Sequence, residues 1–384
     1  MKILLHLTLF LLLNLNAEES KLDLKFFGTL GAVYNDNSAY IFRKDPFEKN
    51  GSSNNLDFFT DSILGLQASY NFTHDLSLIT QGIVKQDYYG DKKASIDWGY
   101  LKYDSNENFI IKIGRIRAPY YKNSNNQNIG YSKLMIREPI EVYGQFPFAA
   151  YDGIEFIYSN ILSKYFYTIQ ANYGQAKFDI PMYSVDEVLK NEIKEIKGLN
   201  FTFGNDIIEA RATYMEGLST SNNKSIDKLF STLSVDLVNK YSLKNKRSQY
   251  FGLGFFVDYK NIIFSTEYGK RKINAYYANL HGFYTTLGYR ILSFTPYISY
   301  AKIKMDDSTS INTGSIYLNE LIKIQNVSQS SNTVGFKYHI NENLDFKIEY
   351  KRIKPEGQYG GFYISDSYPN STLNVYSFVL DFVF

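Results

Sequence analysis

From Leu24 to Phe384 the sequence repeats one unit. A run of about ten residues of alternating hydrophobicity is followed by a very short polar turn, a second such run and a longer polar loop. Successive strand residues face opposite sides, so each run reads as a strand with one apolar face. The short turns are NFTHD, DSNEN, SNILS, FGND, YKN, ILS and NEN. The long connections fall near residues 34–60, 86–93, 118–149, 174–195, 217–247, 273–279, 305–328 and 355–371. Seven short turns alternating with eight loops separate about sixteen strands, an even number that suits a closed up-and-down sheet. No linker or composition shift divides the chain, which predicts one domain.

The two faces say which solvent surrounds that sheet. LDFKIEYK sets Leu344, Phe346, Ile348 and Tyr350 against Asp345, Lys347, Glu349 and Lys351. VGFKYHI sets Val334, Phe336, Tyr338 and Ile340 against Gly335, Lys337 and His339. IIEARATYM alternates Ile208, Ala210, Ala212 and Tyr214 with Glu209, Arg211 and Thr213. A soluble sandwich would accommodate each strand singly. It does not explain the strict rhythm of short and long connections, or the terminal run YSFVLDFVF, which puts Tyr376, Phe378, Leu380, Phe382 and Phe384 on one face. A bilayer explains both, because a spanning sheet must close on itself and must be apolar outside. The predicted fold is therefore all-β, a transmembrane antiparallel barrel. The 35 Tyr and 29 Phe against one Trp supply strand formers and interfacial girdles.

MKILLHLTLFLLLNLNA has a basic Lys2, an apolar run from Ile3 to Leu13 and a small residue at Ala17. This is the layout of a secretory signal peptide, too short for an ordinary spanning helix. Residues 1–17 are predicted to be removed and 18–384 to form the barrel domain.

Two loops carry helical spacing. Ile226, Leu229, Phe230, Leu233 and Leu237 follow it behind a Ser225 cap, although Leu233, Val235 and Leu237 also share strand parity. A helical or irregular insert gives sixteen strands; a further strand pair would give eighteen. Val185, Val188, Leu189, Ile193 and Ile196 form a second pattern, read as a solvated loop helix.

Several chemistries are disfavoured. Without cysteine there is no disulfide framework, thiolate nucleophile or Cys-ligated metal. With 41 basic against 39 acidic residues the chain lacks the footprint of a nucleic-acid binder. His74, His281 and His339 are isolated, no His-x-x-x-His spacing exists and no nucleophile elbow appears, so neither an enzyme nor a metal or cofactor site is expected.

With its leader, strand rhythm and terminal aromatic run, the chain resembles the Gram-negative outer-membrane porins of the sixteen-stranded general diffusion type. In that family the terminal strand is read by the barrel assembly machinery, which implies an assembly signal at Tyr376, Phe378, Phe382 and Phe384. The family's third long loop folds into the barrel and carries P-E-V-F/Y-G-G-D. IREPIEVYGQFPFAAYDG is similar to it at Pro139, Glu141, Val142, Tyr143 and Gly144, with Ile140 inserted; Gln145 and Phe146 stand where the pattern continues. The resemblance implies an outer-membrane homotrimer, in contact with lipid, passing small hydrophilic solutes and ions by passive diffusion. A substrate-specific channel with a saturable site is the alternative.

A diffusion channel filters by bore and by fixed charge at its neck. The expected constriction pairs Glu138 and Glu141 on the loop with inward-parity Arg211, Arg271, Arg290, Lys347 and Lys351, and Glu141 is expected at the neck opposite Arg211. Glu209, Glu267 and Glu349 oppose the wall cations. Arg115 and Arg117 share parity with Ile111 and Ile113, which leaves their facing open. Gly28, Leu30 and Ala32 give the first strand a small-residue outer face suited to subunit contact.

Overall fold

The computed structural model describes residues 21–182, 187–307, 311–356, 361–365 and 372–384. Sixteen long strands form one closed antiparallel barrel in which sequence neighbours pair, and Leu22–Asn35 closes the ring against Leu373–Val383. The terminal residue is part of that seam: Phe384 N donates to Phe26 O at 2.7 Å, and Phe26 N donates to Phe384 O at 2.8 Å. A two-stranded ribbon, Tyr40–Ile41 with Ile364–Ser365, joins the first and last long loops. The predicted signal peptide lies outside the described residues.

The strands change character along their length. Over most of it Leu344, Phe346, Ile348 and Tyr350 point out, while Asp345, Lys347, Glu349 and Lys351 point in and are buried. Toward the long-loop end the polarity inverts. In the same strand Arg352 and Lys354 are exposed and Ile353 between them is fully buried. Ile303 is likewise buried between Lys302 and Lys304, and Leu373 and Val375 flank Asn374. The outer apolar band is what lipid requires. Beyond it water wets the outside, so apolar side chains turn inward as in a soluble protein. Tyrosines mark the boundary: Tyr376 stands between Tyr350 and Tyr34, with ring centroids 5.2 and 6.3 Å away.

The inverted collar is filled. Val33, Leu280, Ile303, Ile353, Leu373 and Val375 of the wall pack with Tyr40 and Phe42 of the first long loop, Ile140 of the third, and Phe362 and Tyr363 of the last. Phe42 stacks on Tyr363 at 5.3 Å.

Sixteen strands, not eighteen, are present because residues 223–245 are helical where they bear on the count. Lys224–Ser231 and Val235–Tyr241 are helices, so Leu233, Val235 and Leu237 form no strand. The cap of the first helix is Asn223 rather than Ser225; its side chain accepts from Ile226 N at 3.1 Å. The second helical pattern is corrected. Val188, Leu189, Ile193 and Ile196 belong to the strand Val188–Gly204, and Val185 lies outside the described residues. Glu195 sits at φ 49° in a bulge, and across it Ile193 opposes Ala176 while Ile196 opposes Gly174. One extra residue resets strand parity, so apolar residues three apart both face inward.

Candidate functional site: the lumen and its infolded loop

The third long loop, residues 118–149, enters the barrel and is tied to the wall around its path. It departs from Phe109–Arg117, where the buried Arg117 guanidinium donates to Asp97 and, at 3.2 Å, to Gln127 of the loop itself. At the far wall a single turn, Gly130–Ser132, meets Lys347, whose Nζ donates to Gly130 O at 2.8 Å and pairs with Asp381 at 2.9 Å. A Cβ on Gly130 would lie 1.9 Å from Asp381 Oδ1, so glycine is what lets the backbone come so close. Arg137 binds Asp61 through Nε and Nη2 and reaches Ser377 Oγ at 2.7 Å. Ile140–Tyr143 then forms one helical turn against the wall.

The predicted residues divide by job. Glu141 is fully buried and does not face Arg211: it accepts from Gln329 Nε2 at 2.8 Å, and Lys351 Nζ lies 4.0 Å away. Arg211 donates to Pro119 O at 2.6 Å, at the base of the loop. Arg271 donates to Gln145 O and Ala278 O, near the loop's return. Glu267 receives Tyr143 Oη at 2.7 Å, Tyr284 Oη at 2.8 Å and Lys122 N at 2.9 Å. Glu349 accepts from Tyr297 Oη at 2.9 Å and from Ile136 N at 3.3 Å, and Glu209 pairs with Lys122 at 2.9 Å. Most of these wall charges are therefore fasteners for the loop. Arg290 stands at the short-turn rim, held bidentate by Asp258 at 2.6 Å. Arg115 points outward and pairs with Asp152 at 2.9 Å, whereas Arg117 points inward.

Open space remains on either side of the loop. Toward the short turns a cavity of about 660 Å³ is lined by residues that include Lys122, Lys133, Glu138, Glu209, Arg290 and Lys337. On the other side a space of about 40 Å³ is lined by Lys44, Asp45, Gln127, Lys133, Arg137 and Glu138, among others. Lys133 and Glu138 line both. Glu138 accepts from Asn123 Nδ2 at 2.6 Å, and Lys133 donates to Gln127 O at 3.2 Å. Of the predicted residues, Glu138 is the one that lines both spaces.

Sequence reasoning did not find Lys133, or Lys44, Asp45 and Glu48 of the first long loop. The signal for the latter was the charge-dense RKDPFEK of residues 43–49, in a loop longer than a hairpin needs. Burial moves their ionisation. It lowers the Lys133 ammonium to about 8 and pushes Glu48 up to about 8, the latter helped by neighbouring Asp45. Burial also raises Glu138 and Asp45 and lowers Lys44. Among the described residues no cluster of potential ligands is arranged to hold a metal.

Comparison with solved structures gives the same architecture. The outer membrane channel DcaP of Acinetobacter baumannii superposes with a TM-score of 0.57 at 13% identity, covering 94% of this chain and 97% of its own. An anion-selective porin from Comamonas acidovorans gives a TM-score of 0.57 at 9% identity, covering 94% of this chain and 99% of its own. OmpT, an outer membrane protein of Vibrio cholerae, in its trimer form gives 0.53 at 12% identity, covering 94% and 99%. No family model and no curated protein sequence matches the chain. The fold is that of the outer-membrane porins.

Proposed function

We propose that this chain is an outer-membrane porin of a Gram-negative cell, a narrow water-filled channel for passive diffusion of small hydrophilic solutes and ions. The observation that carries this reading is that Lys133 and Glu138 line both of the spaces that flank the infolded loop inside a closed, apolar-jacketed barrel. Carboxylate and ammonium groups there supply a transverse field in which polar solutes reorient, while apolar solutes lose hydration without replacement. Single-channel recording in asymmetric potassium chloride tests it. Discrete steps that grow with salt are expected; a bilayer that stays silent after verified insertion overturns it.

A second reading, a substrate-selective channel, is favoured by the space of about 40 Å³ beyond the infolded loop and by the packing of the first and last loops over the mouth. It predicts current that saturates with solute concentration.

The proposed assembly is a homotrimer built through the first strands. Gly28, Ala32, Ala68, Gly82 and Gly99 lie on outward positions of Leu22–Asn35, Ile63–Asn71, Leu76–Gln86 and Lys92–Asn106. Ile96 is 68% exposed and Phe58 55%, so apolar surface is also displayed toward the long-loop end on this side. Small residues permit close approach, and exposed apolar area favours association. Cross-linking in mild detergent that stops at monomer would sink it. The terminal aromatics are proposed as the assembly signal. Deleting Phe384 is expected to lower surface levels severalfold in cells while purified, folded barrel loses little stability; equal surface levels would refute it.

A further inference from the structure

The first long loop also enters the barrel. Phe42 N donates to Ser52 O at 2.8 Å and Ser52 N to Phe42 O at 2.9 Å, which closes the base of a short hairpin. That base is anchored on the inward wall, where Phe42 packs in one core with Leu280, Ile303 and Ile353. The tip reads DPFE, with the residue types of a β-turn: Asp first, then Pro with its preset φ. Asp45 O accepts from Glu48 N at 3.2 Å, and Asp45 Oδ1 accepts from Phe47 N at 3.0 Å.

The tip is held by the two loops that follow it. Tyr88 of the second long loop has its Oη 3.3 Å from Asp45 Oδ2 and 3.0 Å from Pro147 O of the third. Lys49 N donates to Tyr88 O at 2.8 Å. Pro46 lies so close to the return of the third loop that a Cβ on Gly144 would come within 3.2 Å of its Cγ. Seated in this way, half-buried Lys44 and Asp45 line the space of about 40 Å³ together with Lys133 and Glu138. Lys44 is near enough to Lys133 for its charge, after burial, to lower that ammonium. The space has room for about three water molecules. A channel filters by bore and by fixed charge, and here two loops supply both.

We propose that the first long loop is a second constricting element of the lumen, and that Lys44 and Asp45 set its ion preference together with Lys133 and Glu138. The inference rests on the channel reading and adds a solute class to it. With the tip seated, inorganic ions and solutes of a few heavy atoms pass, and nothing as large as a sugar ring does. One cation and one anion on the tip replace part of the water that such an ion gives up.

Bilayer recording of the full chain tests this. The sequence contains no cysteine, so Lys44→Cys places a single thiol at the tip. Labelling it with sulfonatoethyl methanethiosulfonate is expected to lower single-channel conductance about twofold or more, as bulk at a constriction must. Lys44→Glu should raise the potassium-to-chloride permeability ratio about threefold in about 0.1 M salt, and less in about 1 M. Replacing residues 44–50 by Gly-Gly, a pair suited to a two-residue hairpin, should raise conductance about twofold or more and admit sucrose. Barrel integrity is checked by heat-modifiable gel mobility. A thiol that the reagent does not reach, or whose verified labelling leaves the current unchanged, overturns the proposal. So does an unaltered permeability ratio in Lys44→Glu while Glu138→Lys shifts it, since the third loop then acts alone. Should the shortened barrel not assemble, the thiol and charge variants decide. A silent parent whose shortened form conducts would remove the open-channel reading and leave the first loop as the barrier. Silence in both would overturn the two together.

Discussion

Lys347 and Ile353 stand on the same face of the same strand, six positions apart, and both are completely buried in the barrel. One is a cation fastened to Asp381 and Gly130, the other an aliphatic in a packed core. The difference follows the solvent outside the wall. At the level of Lys347 lipid claims the apolar parity, so polar side chains are left to the lumen and must find partners there. At the level of Ile353 water claims the outer parity, so the lumen receives the apolar residues and the loops pack on them. A channel built this way has its fixed charges paired below and its mouth narrowed by a hydrophobic core above. Where the first and third loops approach each other, Lys44, Asp45, Lys133 and Glu138 line open space.

The largest effect is expected where that pairing is broken. Lys347→Met leaves Asp381 buried without its cation and should cost about 3–5 kcal/mol in equilibrium unfolding from micelles. Adding Asp381→Leu should restore most of the loss; a double variant as unstable as the single would refute the pairing argument. Next come substitutions that add a lysine to the outer face in the lipid band and remove one from the outer face in the collar. Ile348→Lys, outward in the lipid band, should cost about 2–4 kcal/mol. Lys354→Ile, outward in the collar, should change stability by less than about 0.5 kcal/mol. Equal costs would mean that the polarity inversion does not track the membrane boundary.

Selectivity sharpens the same contrast. Glu138→Lys beside the infolded loop's two spaces should shift the reversal potential toward anions, with the shift shrinking at high salt as screening shortens to a few ångströms. Glu141→Lys replaces a fastener and should instead lower the yield of folded barrel. A clean anion shift from Glu141→Lys, with Glu138→Lys silent, would reverse the assignment. The smallest effect is on pH. Lys133 titrates near 8 and is cationic at pH 7 and largely neutral at pH 9. Glu48, also near 8, is largely neutral at pH 7 and anionic at pH 9. Both changes subtract positive charge, so cation preference should rise between pH 7 and 9, and Lys133→Met should remove part of the rise. A reversal potential flat across that range would count against it.

Parity made the outer wall legible, because lipid punishes any strand that presents the wrong face. The same rule failed at Glu195, where one bulged residue made a strand imitate a helix. It failed again for the lumen cations: inward parity located Arg211, Arg271 and Lys347 correctly but said nothing of their partners. Glu138 and Glu141 lie three residues apart on one loop, and the sequence does not distinguish the one lining open space from the one sealed against Gln329. Lys133 carried no motif at all.

The sequence by itself determined the closed antiparallel barrel and, within the lipid band, which strand parity faces outward, because these depend on local alternation and on an apolar solvent that acts on every strand alike. The choice of sixteen strands over eighteen was made by the helices in residues 223–245. Only the tertiary structure decided which charges became fasteners and which face open space. Those pairings join positions such as Gly130 with Lys347 and Asp61 with Arg137, far apart in the chain. A buried charge is satisfied by whatever group the fold brings within hydrogen-bonding reach, and no periodicity in the sequence records that meeting.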